Sequence, residues 1–181
     1  MELESIREEL AALHQESYAW ALTCCGGRAA EAEDVLHAVY IKVLAGEATF
    51  GGRSSFKTWL FAVVRNTALG LWRKRQRRLT LLRGWFEREA PSDPLSQPTT
   101  PRPDEVYHDL ERRERIQAAL ATLSDRQREV LELVFYHDLT IEEASEVLEM
   151  KLGTARTHYA RGKQRLLRLL SDDPSWALET A

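Results

Sequence analysis

One proline-rich segment separates two stretches of this chain that both carry the apolar spacing of α-helices. It reads APSDPLSQPTTPRP over residues 90–103 and holds five of the six prolines in the chain. Proline has no amide hydrogen and clashes with the preceding helical turn, so a regular helix cannot run through this segment. The serines and threonines between the prolines are typical of an extended linker. The chain is therefore predicted to form two folded units joined by this linker.

Amphipathic helical patterns fill the part before the linker. Apolar residues recur every three or four positions over residues 3–20, 35–44 and 56–71, with glycines between these segments. A single helix is expected over the first segment. Ser54 is predicted to cap the third helix, which is expected to end in the basic run that follows it.

Helical patterns return near Glu105, beyond the linker. Two pairs there, Ser124 with Gln127 and Thr140 with Glu143, have the spacing of a capping box, which marks the start of a helix. No strand candidate is longer than a few residues. The predicted fold is all-α, with two small helical domains joined by a Pro-rich linker and a helix-turn-helix in the second. The predicted parts are a first domain at 1–88, a linker at 89–104, a second domain at 105–172 and a tail at 173–181.

The composition suits a protein of the cytoplasm. The 181 residues are 44% hydrophobic and 29% charged, and no apolar run approaches the roughly 20 residues that cross a bilayer, so no membrane insertion is expected. The opening MELESIREEL lacks the basic and apolar regions of a secretory signal. Two adjacent cysteines, Cys24 and Cys25, cannot build a disulfide framework, which favours a reduced compartment.

A cluster of positive charge stands out because the whole chain is slightly acidic. The run RKRQRR at residues 73–78 places five positive charges in six positions, whereas the net charge of the chain is −3. Such local asymmetry favours a surface that binds a polyanion. A solvated helix end would have the same composition, so both interpretations remain open at this point.

Residues 140–170 have the form of a helix-turn-helix: a short capped helix, a tight connection at EMKLG and a longer basic helix. At about 100° per residue, one face of the longer helix carries Ala155, Tyr159, Gly162, Leu166 and Leu169. The other face offers groups suited to base edges and phosphates in a major groove. An amphipathic helix with a solvated basic face fits the same pattern. The residues of this predicted reading face are Arg156, Thr157, Ala160, Arg161 and Gln164.

Together, the two halves resemble the extracytoplasmic-function (ECF) sigma factors, the smallest class of bacterial RNA polymerase sigma subunits. In the first half, AEDVLHAVYIKVL and FGGRSSFKTWLFAVVRNTAL resemble the polymerase-binding helix and the −10 element reader of that family. In the second half, LSDRQREVLELVFYHDLTIEEASEVLEMKLGTARTHYARGKQRL resembles the −35 element reader. The resemblance extends over residues 10–80 and 108–170.

The resemblance implies a function without catalysis or cofactor. A sigma factor binds core RNA polymerase, through the β′ clamp helices and the β flap, and directs promoter-specific initiation by recognising the −10 and −35 elements and helping to melt the DNA. Promoter DNA and core polymerase are the implied partners, and an anti-sigma factor is expected. The positions that match the polymerase-binding residues are Asp34, His37, Ala38 and Ile41, where the family usually has glutamine and glutamate at the second and third.

The resemblance also implies a set of residues for the −10 element. Small residues in the GGRSS loop would let the backbone close around a flipped base, and the basic run would contact phosphates without reading sequence. Phe56, Trp59 and Leu60 could instead be core residues. Phe61, Arg65 and Trp72 could stack on single-stranded DNA or pack internally, and packing is the expectation for Phe61. The residues at the matching positions are Arg53, Ser54, Ser55, Phe56, Lys57, Trp59, Asn66, Arg73, Arg75, Arg77 and Arg78.

Some positions depart from the family pattern. Gly70 stands where an acid or amide is commoner, Glu149 where a turn glycine is usual, and Lys151 where a capping serine or threonine is expected. His158 is predicted to point sideways from the reading face, toward a phosphate or a packing contact.

Other interpretations stay open from sequence alone. A helix-turn-helix regulator that binds duplex DNA without polymerase explains the second half equally well, although it leaves the first half without a purpose. A small nuclease would need a carboxylate or histidine cluster that the sequence does not display. Cys24 and Cys25 could sense redox state or metal with His14 or His37, or could be two small apolar thiols. Trp176 in the tail could dock on a partner, although a disordered tail is the simpler expectation.

Overall fold

The computed structural model describes residues 3–83, 119–120 and 122–171. Every regular element in these residues is an α-helix, which confirms the predicted all-α fold. The contacts divide the chain into two compact units, Met1–Thr99 and Thr100–Ala181. The seven helices with described bounds are α1 Leu3–Ala12, α2 His14–Cys24, α3 Ala29–Leu44, α4 Phe56–Arg83, α5 Asp125–Phe135, α6 Ile141–Val147 and α7 Leu152–Ser171.

The first unit is a bundle in which α2, α3 and α4 pack against one another and α1 packs on α2 and α3. Its centre is Trp20, which is fully buried. The Trp20 indole Nε1 donates a hydrogen bond of 3.0 Å to the Phe61 carbonyl, and the two rings stack with centroids 6.1 Å apart. The prediction that Phe61 packs internally is therefore confirmed, and one side chain joins α2 to the N-terminal part of α4.

Three details of the first unit differ from the sequence-based expectations. The predicted first helix is divided at Leu13, where α2 turns to bury Ser17, Trp20 and Ala21. The cap of α4 is Ser55, not Ser54, because the Ser55 hydroxyl accepts a hydrogen bond of 3.1 Å from the amide of Thr58. The basic run does not end α4, which continues to Arg83.

The second unit packs α5, α6 and α7 against one another. Both predicted capping boxes are confirmed: one opens α5 at Ser124 and the other opens α6 at Thr140. The connection from α6 to α7 holds Glu149 at a φ of 52°, a left-handed conformation that costs little for glycine and more for glutamate. Glycine would adopt this conformation at a lower energetic cost. Glu149 therefore holds a strained backbone conformation at this turn.

Gly162 lies where α7 packs closely against α5. A Cβ atom at this position would lie 2.8 Å from Leu131 Cδ1, so only glycine lets the two helices meet without a shift. The predicted packing face of α7 holds for Ala155 and Gly162, which are buried, but it is wrong for Leu169, which is 42% exposed.

The predicted domain limits at residues 88, 104 and 172 and the helix expected near Glu105 lie outside the described residues. They stay predictions.

Candidate nucleic-acid and protein interfaces

The outward face of α3 carries the residues predicted to bind polymerase. Its inward face is buried in the bundle through Ala32, Val35, Leu36, Val39 and Val43. Asp34, His37 and Ile41 are exposed on the other side, and Ala38 is partly exposed. Ile41 is 55% exposed and Leu44, one turn further on, is 41% exposed. This face therefore presents an aliphatic stripe beside an acid, which suits contact with another protein. Sequence reasoning missed Leu44, although its spacing of three from Ile41 is helical.

The loop between α3 and α4 ends on a group of three aromatic rings. Phe50, Phe56 and Trp59 have centroid separations of 5.4 Å, 5.5 Å and 5.2 Å. Phe56 is buried, whereas Phe50 and Trp59 are partly exposed, so the group has a closed side and an open side. The GGRSS loop lies directly before α4, and Gly52 adopts a positive φ of 70° there. A partly exposed aromatic ring such as that of Trp59, beside a loop of small residues, can hold an unstacked base.

The residues predicted to contact the −10 element are not equally accessible. Arg53, Ser55 and Asn66 are exposed, Ser54 and Trp59 are partly exposed, and Phe56 is buried. Lys57 lies against α2, where its Nζ atom is 2.5 Å from a carboxylate oxygen of Glu16 and 5.8 Å from the centroid of the Phe61 ring. A phosphate would have to compete with Glu16 for this lysine.

The side chains of the basic run project from the second half of α4. Residues 71–78 are all exposed, including Trp72, which is 52% exposed, whereas Arg65 further back is only 4% exposed. Of the three residues considered for base stacking, Trp72 alone is exposed. The charges of Arg73, Arg77 and Arg78 are on the surface. This stretch of α4 therefore presents a positive, partly aromatic surface to a polyanion.

Arg75 forms an ion pair with Glu31 in the first turn of α3. Glu31 also pairs with Arg28, whose Nε atom is 2.7 Å away. The Arg28 guanidinium in close contact lowers the pKa of the Glu31 carboxyl, and the positive charge of Arg75 acts in the same direction. Glu31 is thus ionised at neutral pH and holds the basic part of α4 to α3.

Cys25 shows little sign of reactivity. Cys25 is 5% exposed, and burial, reinforced by the charge of Glu31, raises the pKa of its thiol to about 11. Only a thiolate is a good nucleophile or metal ligand, so this thiol is unreactive near neutral pH. His14 instead shares a hydrogen bond of 3.0 Å with the Tyr40 hydroxyl. No group of three or more potential metal-ligating side chains occurs in the described residues.

The predicted reading face of α7 is exposed along its whole length. Arg156 Nη2 lies 2.7 Å from Glu142 Oε1 in α6, and the Thr157 hydroxyl donates a hydrogen bond of 2.8 Å to the Gly153 carbonyl. His158 is partly buried at the edge of this face, in line with its predicted sideways direction. The exposed members of the face are Arg156, Thr157, Ala160, Arg161 and Gln164.

Comparisons with known proteins identify both units. The sigma-70 region 2 model matches residues 10–78, and the sigma-70 region 4 model matches residues 113–166. The first unit therefore has the fold of one sigma-factor region and the second unit the fold of another. The chain belongs to the ECF sigma factors of the sigma-70 family.

Several relatives carry that family's name. The chain is 35% identical over 132 residues to the ECF RNA polymerase sigma factor SigX of Bacillus subtilis, covering 73% of this chain and 66% of SigX. It is 30% identical to SigE of Mycolicibacterium smegmatis, of which it spans 58%. It is 28% identical over 170 residues to EcfG of Rhodopseudomonas palustris, covering 94% of this chain and 87% of EcfG.

A solved structure has a closely similar fold. The sigma factor RpoE, in complex with the anti-sigma factor NepR from Bartonella quintana, matches with a TM-score of 0.68 and 25% identity. The match covers 94% of this chain and 99% of that one. No helix in the described part of the chain has the length and apolar character needed to cross a membrane.

Proposed function

We propose that this chain binds core RNA polymerase in the cytoplasm and directs transcription initiation at promoters that carry a matching pair of −10 and −35 elements. The observation that carries the proposal is that the two sigma-factor regions occur in order in one chain and that each presents an exposed, chemically suitable face. The polymerase supplies the catalysis, and this chain supplies the choice of promoter.

The faces have separate tasks in this proposal. The α3 face around Ile41 docks on the β′ clamp helices of polymerase, and the second unit contacts the β flap. The aromatic group at Trp59 and the GGRSS loop hold a base flipped from the −10 element, where the unstacking costs only a few kcal/mol. The basic part of α4 follows the phosphates. The reading face of α7 enters the major groove at the −35 element.

Control by an anti-sigma factor is part of the proposal. RpoE and CnrH, both with folds like that of this chain, were solved in complex with the anti-sigma factor NepR and with the cytosolic domain of CnrY, respectively. The exposed face of α3 offers such a protein a place to bind in competition with polymerase.

The decisive test is transcription with purified components. This chain with bacterial core polymerase is expected to initiate at a defined set of promoters from a library, and core polymerase alone is not. Ile41→Asp should weaken association with core in a pull-down at low salt, because it places a charge in the aliphatic stripe of α3. Leu71→Asp places the same charge at an exposed apolar site on α4, where Leu71 is 39% exposed. It is the matched control and should still associate.

Two results would contradict the proposal. One is a lack of association between the unaltered chain and core polymerase at low salt. The other is tight, specific binding of the chain alone to duplex promoter DNA with no gain from core, which is the behaviour of an independent helix-turn-helix regulator.

Neutralising the basic part of α4 should weaken promoter binding without changing promoter choice. In the holoenzyme that carries Arg75→Gln, Arg77→Gln and Arg78→Gln together, the affinity for DNA is expected to fall. The magnitude of the slope of log affinity against log salt should fall by about 2–3, because each phosphate contact that is lost reduces this magnitude by about 0.9. The ranking of promoters should be preserved, since phosphate contacts position a protein without reading sequence.

A matched control removes three arginines elsewhere. Arg7, Arg126 and Arg128 lie in exposed or partly exposed ion pairs within single helices, outside the proposed DNA-binding faces. Their combined replacement by glutamine should leave the salt slope close to that of the unaltered holoenzyme. If both triple variants give the same slope, the basic part of α4 is only a solvated helix end.

A further inference from the structure

An ion pair between Glu142 and Arg156 joins the two helices of the helix-turn-helix. Glu142 lies in the first turn of α6, and its Oε1 atom is 2.7 Å from Nη2 of Arg156 on α7. The two residues are 14 positions apart, so the pair forms only when α6 and α7 are packed. Both side chains stay open to solvent, at 61% exposed for Arg156 and 54% for Glu142. The pair is therefore on the same surface as the reading face.

The backbone of Glu142 is well held. The neighbouring Glu143 closes the capping box with Thr140, and Ala144 and Val147 anchor α6 in the core of the second unit. The Ser145 hydroxyl donates a hydrogen bond of 2.7 Å to the Glu142 carbonyl. The hydrogen bond from Arg156 holds the pKa of the Glu142 carboxyl below its usual range, so this carboxyl is ionised at neutral pH. The negative charge of Glu142, on a well-held backbone, thus faces the long, flexible side chain of Arg156.

An arginine that reads a base must lose much of its rotamer freedom on binding. A partner that already restricts the side chain reduces that cost. The guanidinium has five N–H groups in a planar fork, so one hydrogen bond to Glu142 leaves donors for a guanine. The Glu142 carboxylate also repels the phosphates of any DNA that gives Arg156 no acceptor, and a built-in cost against wrong partners raises specificity.

We propose that Glu142 is a positioning residue that sets the base preference of Arg156 at the −35 element. It orients the guanidinium on the reading face and adds a penalty at sites where Arg156 finds no base acceptor. This inference rests on the proposed function, because it assumes that α7 reads the −35 element.

The second arginine of the face provides an internal comparison. Arg161 is exposed and forms no ion pair within the part of the chain that the structure describes. The influence of Glu142 should therefore be confined to the base position that depends on Arg156, and the position that depends on Arg161 should be unaffected.

The experiment uses the holoenzyme, reconstituted from the full chain and core polymerase, and a promoter library randomised in the −35 element. Glu142→Gln keeps the size of the side chain and removes its charge. The matched control is Glu146→Gln, which removes the same charge from an exposed position of α6 for which the described residues show no ion pair. Arg156→Ala and the double variant Glu142→Gln/Arg156→Ala complete a cycle, and circular dichroism confirms that each variant is folded.

Glu142→Gln should reduce discrimination at the Arg156-dependent base by about threefold to tenfold, in the lower part of the range for residues coupled by direct contact because this pair is exposed to solvent. Glu146→Gln should leave discrimination unchanged at every position, although either change can raise the affinity for all DNA. The double variant should discriminate as Arg156→Ala does, because Glu142 acts through Arg156. If Glu142 only stabilised the fold, the losses of discrimination in the two single variants would add in the double variant.

Failure of this inference differs from failure of the proposed function. Glu142 is not a positioning residue if Arg156→Ala changes the −35 preference but Glu142→Gln does not. The same conclusion follows if Glu146→Gln has the same effect as Glu142→Gln. In both cases the proposed function stands. If Arg156→Ala leaves the −35 preference unchanged, the reading face is wrongly assigned, and both the inference and that part of the proposed function fail.

Discussion

Replacing Arg156 or Arg161 with alanine is expected to cost about 1–3 kcal/mol of discrimination at one −35 base pair each, or roughly 5-fold to 150-fold in promoter preference. The physical reason is that a guanidinium contacts two acceptors of guanine at once, a pattern that no other base pair offers in the major groove. Both side chains are exposed on the reading face of α7. Competitive transcription on a library randomised at the −35 element measures the loss.

Arg126→Ala is the matched control. Arg126 is exposed on α5, where it pairs with Glu129 of the same helix, and it lies outside the reading face of α7. Its loss should leave base preference intact and lower binding, at most, by the same factor on every sequence. If Arg156→Ala and Arg161→Ala also reduce binding uniformly, these arginines contact phosphates and do not read bases.

Replacing Trp20 with alanine should lower the free energy of unfolding of the first unit by about 3–5 kcal/mol. The substitution removes a fully buried indole, its stacking on Phe61 and its hydrogen bond to the Phe61 carbonyl. The free energy of unfolding of a typical domain is only about 5–15 kcal/mol. The first unit would therefore lose a large part of its stability. Urea unfolding followed by circular dichroism measures the change, and hydrogen exchange of α2, α3 and α4 locates it in the first unit.

Trp72→Ala removes the same side chain from an exposed position on α4, where Trp72 is 52% exposed. Its effect on stability should stay within about 0.5 kcal/mol. Equal destabilisation by the two substitutions would mean that Trp20 does not anchor the bundle. Because transcription needs the first unit to be folded, Trp20→Ala should also lose activity at temperatures where Trp72→Ala remains folded.

Much of the fold could be predicted because the relevant interactions are local. The capping boxes at Ser124 and Thr140 connect residues only three positions apart, so one turn of backbone determines them. The reading face of α7 follows from the helical period alone. The helix limits were less predictable: Ser54 and Ser55 are both good caps, and only the packing of α4 decides which of the two precedes the first turn.

The polymerase and −10 sites were predicted only as sets of positions. The family resemblance supplied Ile41 and the other α3 positions, and the structure adds the exposed Leu44 one turn beyond Ile41. No period could reveal that Arg65 is buried or that Lys57 lies against Glu16, since both facts depend on which helix packs beside α4.

The sequence by itself determined two helical units, the start of the helix-turn-helix and the side of α7 that faces outward, because helical periodicity and caps operate within a few residues. Only the tertiary structure decided which cations of the predicted surfaces have a partner. Arg156 meets Glu142 across 14 positions, and Arg75 meets Glu31 across 44. The need for Gly162 is also tertiary, because it arises from Leu131 on another helix. Contacts of this range depend on how helices pack, and packing depends on the shape of the whole core.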